Sequence, residues 1–315
     1  MRRLFCLSLI GLAILFLSSP GAGVEKLRYS GPIGMHPFYI LPYFAALDKG
    51  VWSELGLEVT LSAARDPVAM YQAISGGHLE VASNSLAGHI PAAAAGVPAV
   101  VVADMGLLIN WLLWVMADSP YKEPADLKGA KIGVTRFLDP PHMFAMTLFE
   151  AVGLGKEYVQ YISMGGIRET TAALRAGAIQ ATVLSDYSLM PLVLEGRVRA
   201  VRPVQPHLPQ PWIDVMLMSE KGFAAKKREV LRRFVTGFIK GAEIVMKERD
   251  WALAKMIATV PLTEELAHRT HPLMKYVPAA KIDPKAMENV RNYLINYKVV
   301  AAEKTPPAEE LYLKW

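Results

Sequence analysis

The chain has 315 residues, of which 52% are hydrophobic and 20% are charged, and its formal net charge at pH 7 is +5. This length corresponds to one large domain or two domains of ordinary size, and the apolar content excludes extended disorder. The basic clusters Lys226 to Arg228 and Arg232-Arg233 have no aromatic residues interleaved with them. We therefore expect a solvated helix face there, and no nucleic-acid partner.

The first 23 residues have the organisation of a secretory signal peptide. Arg2 and Arg3 precede an apolar run from Leu4 to Leu17, and small residues up to Gly23 suit a cleavage site. The run is short for a membrane-spanning helix, and no later segment reaches about 18 uninterrupted apolar residues. We expect a cleaved signal at 1–23 and a periplasmic mature protein without cysteine, since the single cysteine lies in the signal. An uncleaved anchor and an ordinary buried helix are the alternatives.

Strands and helices alternate in the first part of the remaining chain. The predicted strands are Leu27–Ser30, Leu57–Leu61, Leu79–Ala82 and Ala99–Ala103, and the predicted helices are Phe38–Asp48, Pro67–Ser75 and Leu86–Ala95. Alternation at this spacing indicates a mostly parallel sheet with helices on both faces.

The alternation restarts after Asp126. Strands are predicted at Lys131–Val134, Val159–Ser163 and Ala181–Leu184, and helices at Pro141–Val152 and Arg168–Ala176. Residues Ala73–Ala82 align without gaps on Ala173–Thr182, and in both segments a helix ends at a glycine and a short strand follows. This doubling indicates two similar lobes. Chance similarity between two common helix–strand junctions is the alternative explanation of the alignment.

The last third of the chain has a helical pattern. Helices are predicted at Phe223–Lys247, Trp251–Thr259, Thr263–Lys275 and Pro284–Tyr297, and Lys304–Trp315 is expected to be extended. The predicted fold class is therefore α/β, with two lobes of mostly parallel sheet flanked by helices.

Three segments resemble the periplasmic solute-binding proteins of ABC importers, in the nitrate, sulfonate and taurine branch. Phe44–Val59 is similar to the family's opening pattern, in which a helix ends at Gly-x-Trp and a Gly-Leu-x-Val strand follows. Ala94–Pro98 and Ala125–Phe137 are similar to two further family segments, the second containing Asp-Leu-Lys-Gly and a Gly-Val strand. As a set, these motifs are specific to the fold, and the resemblance covers nearly the whole mature chain.

The resemblance implies a type II periplasmic-binding-protein fold, with a ligand held between two lobes joined by two crossing strands. The crossings are expected near Leu113–Ala117 and Ile213–Met218. Lobe 1 is expected to comprise residues 24–116 with 213–315, including most of the helical part, and lobe 2 residues 117–212. The implied partners are a small organic anion and an ABC permease and ATPase complex at the inner membrane. We expect a monomer that is not an enzyme and has no cofactor.

Candidate ligand contacts follow from the strand ends, because the binding crevice of an open parallel sheet lies beyond the carboxyl ends of its strands. The candidates in this position are Met35, His36, Ser83, Asn84, Ser85, Trp111, Thr135, Arg136, Phe137, His142, Asp186 and Tyr187. Helices begin just after these loops, so their free N–H groups and positive dipole ends favour an anion such as a carboxylate, sulfonate or nitrate.

The polar candidates have two interpretations each. Ser83 to Ser85 supply hydroxyl and amide donors to the ligand, or they only cap the next helix. Arg136 binds the anion through two hydrogen bonds, or it forms a surface ion pair. Family members often have a Ser-Arg-Phe-Gly-Ser-Gly-Ser-like stretch where this chain continues with Leu138 to His142, a segment containing an acid and two prolines. The family's usual sulfonate or nitrate contacts are therefore altered.

The remaining candidates bear on the body of the ligand. His36 and His142 are each a structural residue or a charge-assisted donor, and we expect one of them to face the ligand. Trp111, Phe137 and Tyr187 enclose an aromatic or aliphatic body, or they belong to the core. Asp186 repels an anion unless it pairs with Arg136 or with a ligand amine, and in the last case the ligand is zwitterionic.

Catalytic and metal motifs are sparse in the sequence. It contains no Gly-x-Ser-x-Gly, Walker or His-Glu-x-x-His motif. His268 and His271 have helical i, i+3 spacing, for which we expect a solvated face and no metal. The alternative functions are a thiamine-pyrimidine-precursor binding or synthase-like protein on the same fold, whose cysteine-rich motif has no counterpart here, and a sensory ligand-binding module.

Overall fold

A computed structural model describes residues 23–31, 37–62, 64, 67–107, 109–260 and 262–315. The expected signal peptide, apart from Gly23, and the candidate contacts Met35 and His36 lie outside these described residues. Within them, no helix is both long enough and apolar enough to cross a membrane.

The strands of the described residues form two sheets of the same design. They are β1 Glu25–Ser30, β2 Leu57–Leu61, β3 Val81–Ser85, β4 Ala99–Asp104, β5 Trp111–Met116, β6 Lys131–Val134, β7 Gln160–Ser163, β8 Ala181–Ser185, β9 Val198–Pro203 and β10 Val215–Glu220. The strand order is β2-β1-β3-β10-β4 in the first sheet and β7-β6-β8-β5-β9 in the second. In each sheet the fourth strand of this order is antiparallel to both neighbours, and the other pairs are parallel.

Helices cover both faces of each sheet. They are α1 Pro37–Asp48, α2 Val51–Glu54, α3 Pro67–Ser75, α4 Leu86–Ala94, α5 Pro140–Ala151, α6 Ile167–Arg175, α7 Asp186–Leu194, α8 Lys221–Lys226, α9 Arg228–Lys247, α10 Arg249–Thr259, α11 Glu264–Thr270 and α12 Pro284–Asn296. Side chains of a strand alternate between the two faces. Val215 and Leu217 of β10 therefore share a core with α1 and α9, while Met216 and Met218 share one with α3 and α4. The predicted α/β fold class is confirmed.

The doubling seen in the sequence continues into the helix caps. Ser85 ends β3, and its Oγ accepts a hydrogen bond from Gly88 N at 3.1 Å. Ser185 ends β8, and its Oγ accepts one from Ser188 N at 3.2 Å. Each hydroxyl satisfies a free N–H of the following helix, α4 or α7. Both strands thus extend to the capping serine, beyond the predicted ends at Ala82 and Leu184.

The connections between the two sheets lie mostly outside the segments predicted to cross, and only Ile213 and Asp214 belong to both. The chain leaves the first sheet after Asp104 and enters the second at Trp111, and it returns between Pro203 and Val215. Strands β5 and β10, predicted as crossings, are central strands of the second and first sheet respectively. β5 is an apolar run of six residues and β10 begins with four, and such a run has the pattern of a strand buried on both faces.

Residues 304–315, predicted to be extended, pack against the first sheet. Val101 N donates to Leu311 O at 2.8 Å, and Leu313 N donates to Val101 O at 2.8 Å, which is a short parallel pairing with β4. Trp315 Nε1 donates to Val102 O at 2.9 Å. These bonds satisfy backbone groups on the free side of β4, so the edge of the sheet is covered.

Helix α12 contacts the helices of both sheets. It packs against α4, which follows β3 of the first sheet. Its Tyr293 hydroxyl is 2.6 Å from Thr147 Oγ1 of α5, which belongs to the second sheet, and the Tyr297 hydroxyl donates to Glu150 Oε2 of α5 at 2.6 Å. The helical last third, expected mainly on the first lobe, therefore also bonds to the second sheet's helices.

Pro42 interrupts the hydrogen bonding of α1. A proline has no N–H, so the carbonyl of Phe38, four residues earlier, lacks its helical donor. The buried Tyr276 hydroxyl takes that place and donates to Phe38 O at 2.6 Å. Removing the hydroxyl therefore leaves a buried carbonyl without this donor.

We expect Tyr276→Phe to lower the free energy of unfolding by about 0.5–1.5 kcal/mol, because a buried hydrogen bond to the Phe38 carbonyl is lost. Urea denaturation followed by circular dichroism measures the change. Tyr121→Phe, at a partly exposed tyrosine, is the control and should change stability by less than about 0.5 kcal/mol. An equal, small effect of both variants would contradict the assigned role of Tyr276.

Candidate functional site

A cavity of about 280 Å³ lies between the two sheets. Tyr39, Asn84 and Ser85 line it from the side of the first sheet, and Thr135 and Gly166 from the side of the second. The two connections between the sheets also contribute to its wall. The cavity is therefore placed where a solute would touch both halves of the molecule at once.

The amino ends of several helices meet at this cavity. Its lining includes residues of the first turns of α3, α4, α5, α6 and α7, namely Pro67, Ala87, Pro140, Ile167 and Ser188. First-turn N–H groups lack helical acceptors, and the helix dipole adds partial positive charge at the same end. Their convergence favours negative charge in the cavity.

The three residues at the end of β3 have different positions. Ser85 both caps α4 and lines the cavity, so its two interpretations coexist. Asn84 also lines the cavity, and its Nδ2 donates to the Tyr71 hydroxyl at 3.1 Å. Ser83 is fully buried, and its Oγ is 2.8 Å from the Tyr29 hydroxyl, outside the cavity lining.

The loop between β6 and α5 brings a cation and an acid to the rim. Arg136 lines the cavity with its side chain 76% exposed, and its Nε is 3.9 Å from Asp139 Oδ2. Thr135 Oγ1 donates to the same carboxylate oxygen. Burial raises the pKa of Asp139, and the hydrogen bond from Thr135 opposes that rise. Arg136 thus has an acidic neighbour, in agreement with its ion-pair interpretation. That neighbour is Asp139 rather than Asp186, and the distance between the two charged groups is long for an ion pair.

Asp214 adds a second carboxylate to the cavity wall. It immediately precedes β10, and Ile109 N, on the other connection, donates to its Oδ2 at 3.1 Å. Burial raises the pKa of Asp214 to about 7, against which the bond from Ile109 acts. The buried Trp111 Nε1 is close enough to oppose the rise as well, although it makes no hydrogen bond of normal geometry with a described residue.

Aromatic side chains form one wall of the cavity. Trp111 of β5 lines it and packs edge-to-face against Phe144 of α5, with ring centroids 5.1 Å apart. Phe144 and Tyr39 line the cavity too. Trp111 therefore belongs both to a core cluster and to the cavity wall, and the wall offers an apolar surface to the body of a ligand.

Phe137 and His142 lie outside the cavity lining. The Phe137 side chain is 57% exposed, and its ring centroid is 5.3 Å from that of His142. His142 Nδ1 accepts a hydrogen bond from Leu138 N at 3.0 Å, and burial lowers the pKa of His142. His142 faces a separate cavity of about 720 Å³, which Tyr161 and Tyr297 also line.

Asp186 and Tyr187, at the start of α7, also lie outside the cavity lining. Asn110 Nδ2 donates to Asp186 Oδ2 at 2.9 Å, and burial raises the pKa of Asp186. The Tyr187 ring packs edge-to-face on Phe38 of α1, with centroids 5.5 Å apart. Asp186 pairs with Asn110 rather than with Arg136.

Among the lining residues that the strand-end rule did not find are Asp139, Gly165, Gly166 and Asp214. Gly165 and Gly166 follow the carboxyl end of β7, so the rule itself would have located them. Asp214 comes before a strand. Because β10 is antiparallel to β3, with Val215 opposite Ser85, the amino end of β10 lies at the carboxyl edge of the parallel strands. Trp111, opposite Ser185, reaches the cavity in the same way.

No group of three or more histidine, cysteine or acidic side chains suited to a metal ion occurs among the described residues. The charged side chains that line the cavity there are Arg136, Asp139 and Asp214. The chemistry of the described lining is thus hydrogen bonding, ion pairing and apolar contact.

Comparison with known proteins adds family information. A family model described as NMT1/THI5 like matches residues 37–252. The chain is similar in structure to the periplasmic aliphatic sulphonate binding protein SsuA from Escherichia coli, with a TM-score of 0.80 and 16% identity over 92% of each chain. No curated protein matches the chain in a comparison by sequence.

Two further solved structures show the breadth of the fold. The alkanesulfonate-binding protein SsuA from Xanthomonas axonopodis pv. citri, bound to MOPS, has a TM-score of 0.73 and 14% identity over 94% of this chain and 100% of that chain. The desulfurization enzyme DSZB has a TM-score of 0.63 and 15% identity over 91% of this chain and 96% of that chain.

Proposed function

Because the chain belongs to the NMT1/THI5-like family, we propose that it is the extracytoplasmic substrate-binding component of an ABC importer. It captures a small organic anion, of sulfonate, taurine or carboxylate type, in the cavity between the sheets and delivers it to a membrane permease with its ATPase. The protein is periplasmic and monomeric, and residues 1–23 are its cleaved signal peptide. The sulfonate-binding proteins of the same fold support the choice of anion.

The single observation that carries this proposal is the convergence of helix amino ends and Arg136 on one cavity. The N–H groups at the start of α6 follow two glycines, Gly165 and Gly166, and no side chain of these two covers them. Gly165 has φ +97°, a conformation that side-chain-bearing residues rarely adopt. We therefore propose that the anionic group binds between the amino end of α6 and the Arg136 guanidinium.

Capture is proposed to close the two lobes around the solute. The proposed lobes are 24–116 with 213–315 and 117–212. Strand β5 lies at the end of the first of these ranges, although it pairs with strands of the second sheet. A ligand that touches Ser85 on one side and Thr135 on the other gains contacts only when the lobes approach, so it favours the closed state. We also propose that the protein binds its ligand without converting it, and that it serves transport rather than sensing.

We expect Arg136→Ala to weaken the binding of ethanesulfonate more than tenfold, since the side chain supplies the cation of the described lining. Isothermal titration calorimetry measures the affinity. The melting temperature of the unliganded protein should hardly change, because the side chain is 76% exposed. Arg175→Ala removes an arginine of similar exposure that pairs with Glu195 on the surface, and it should bind like the wild type.

Unchanged affinity in Arg136→Ala would overturn the assignment of Arg136. Native mass spectrometry of the protein purified without added ligand tests the solute class directly. A co-purified organic anion or zwitterion supports the proposed function, and a co-purified solute without an acidic group contradicts it.

A further inference from the structure

The polar composition of the cavity does not match a ligand that is only an anion. Asp139 and Asp214 both line it, and Arg136 is the cation among the described lining residues. Arg136 is already within 3.9 Å of Asp139, whereas Asp214 has no ion pair among the described residues. When both carboxylates are ionised, the described lining has one more negative than positive charge.

Hydrogen bonds to neighbouring residues hold both the backbone and the side chain of Asp214 in position. Its backbone carbonyl accepts a hydrogen bond from Leu86 N, the first residue of α4, at 2.9 Å. Its side chain accepts from Ile109 N at 3.1 Å and therefore joins the two connections between the sheets. Trp111 and Tyr39 line the same cavity, and Asp214 itself is half-buried.

Leaving a carboxylate ionised in such surroundings is costly unless a donor or cation meets it. Among the described residues, the one donor to the Asp214 carboxylate at normal geometry is the neutral backbone N–H of Ile109. The groups that face it are acidic or neutral on most sides: Asp104 on β4 and Tyr39 on α1, with Asp139 and Arg136 on the far rim. Among the described residues no cation pairs with Asp214, and a ligand can supply that positive charge.

We infer that Asp214 is a specificity-determining residue, which selects solutes that carry a protonated amine or an equivalent N–H donor in addition to the anionic group. The inference rests on the proposed function and narrows its substrate class to zwitterions. In the bound solute the acid faces Arg136 and the amino end of α6, and the amine faces the two connections between the sheets. The sequence interpretation offered a ligand amine as one of two partners for Asp186, but Asp186 lies outside the cavity lining and pairs with Asn110.

The inference predicts that the binding of an amine-bearing solute releases protons from the protein. Burial raises the pKa of Asp214 to about 7, so at pH 6 the unliganded carboxyl is mostly protonated. An ammonium group stabilises the carboxylate, so its binding at pH 6 should release about one proton per solute, and the release should fade toward pH 8.5. A simple anion stabilises the protonated carboxyl instead, and its binding should release no proton or take one up.

The test compares taurine with ethanesulfonate, which has the same sulfonate without the amine. β-Alanine with propionate is a second such pair, and ethylamine is the amine without an acid. Titration calorimetry at pH 6 in two buffers of different ionisation enthalpy gives both the affinity and the number of protons released. Asp214→Asn keeps an acceptor for Ile109 N but has no charge. Asp104→Asn is the matched control, because Asp104 is a second acid, at the end of β4, that does not line the cavity and whose pKa is also raised by burial.

We expect the wild type to bind the amine-bearing member of a pair at least tenfold more tightly, with proton release. Asp214→Asn should lose this preference and the proton release, and Asp104→Asn should retain both. Equal binding of the two members would overturn the inference and leave the proposed anion binding intact. If only ethylamine binds, and Asp214→Asn abolishes that binding, the role of Asp214 in amine binding would be supported and the proposed binding of an anionic group would be overturned. No binding by any of these probes would contradict both, and if Asp214→Asn does not fold, the proton count of the wild type decides.

Discussion

Gly241→Ala is expected to lower the free energy of unfolding by about 3 kcal/mol or more, in a substitution that usually stabilises a helix. A Cβ atom at this position would lie 2.0 Å from the Pro42 carbonyl oxygen and 2.9 Å from its carbonyl carbon. Gly241 is within α9, and the clash is with the backbone of α1, so a rotamer change cannot relieve it. The two helices must separate, which opens the core between them.

Urea denaturation measures the loss, and two other variants define its origin. Lys240→Ala, on the exposed side of α9, should change stability by less than about 0.5 kcal/mol. Gly237→Ala meets the Trp52 ring at 2.3 Å rather than a backbone, so its cost depends on how far that ring can shift. A Gly241→Ala protein as stable as the wild type would show that α1 and α9 are not held at this distance.

The second large effect concerns His89 and acid. His89 is fully buried in α4, and neither ring nitrogen has a hydrogen-bond partner among the described residues. Burial lowers the pKa of His89 to about 4, from 6.5, and nearby Lys221 acts in the same direction. Between these two values the unfolded chain binds the proton and the folded chain does not. The contribution to stability is therefore complete above pH 6.5 and is lost as the pH falls toward 4.

We expect this loss to reach about 2 kcal/mol at pH 5 and about 3 kcal/mol at pH 4, relative to neutral pH. His89→Leu should remove it, so the difference in unfolding free energy between His89→Leu and the wild type should change by that amount with pH. This difference is the quantity to measure, because two other groups act in the opposite direction in both proteins. The pKa values of Asp104 and Asp214 are raised to about 6 and about 7, so protonation of these carboxyls stabilises the folded protein as the pH falls. His78→Gln, at an exposed histidine, should follow the wild type, and a His89→Leu protein that does so would contradict the prediction.

The sequence predicts local features of this molecule better than its long-range pairings. The cap at Ser85 and the start of α3 at Pro67 depend on neighbouring residues, and both agree with the structure within a few positions. The alignment of two segments a hundred residues apart identified the doubling, and the structure extends it to Ser85 and Ser185. These features follow from hydrogen bonds within one turn of chain.

Strand pairing between distant segments was out of reach of the same reasoning. Asp214 reaches the cavity because β10 pairs with β3, from which it is separated by the whole second sheet. No periodicity in either strand encodes that pairing. The expected anion site was accordingly assembled from the carboxyl ends of parallel strands, which contributed Asn84, Ser85, Thr135 and Arg136 but neither of the carboxylates that line the cavity.

The strand orders of the two sheets also determine when each can be completed during synthesis or export. All strands of the second sheet lie within residues 111–203, a single continuous stretch. The first sheet needs β10 between β3 and β4, and the free side of β4 needs Leu311 and Leu313. Chain that emerges amino end first therefore supplies every partner of the second sheet while β3 and β4 still lack the strand that separates them. The first sheet is therefore the first to begin and the last to be completed. Until β10 is available, the unpaired edges of β3 and β4 need protection from aggregation.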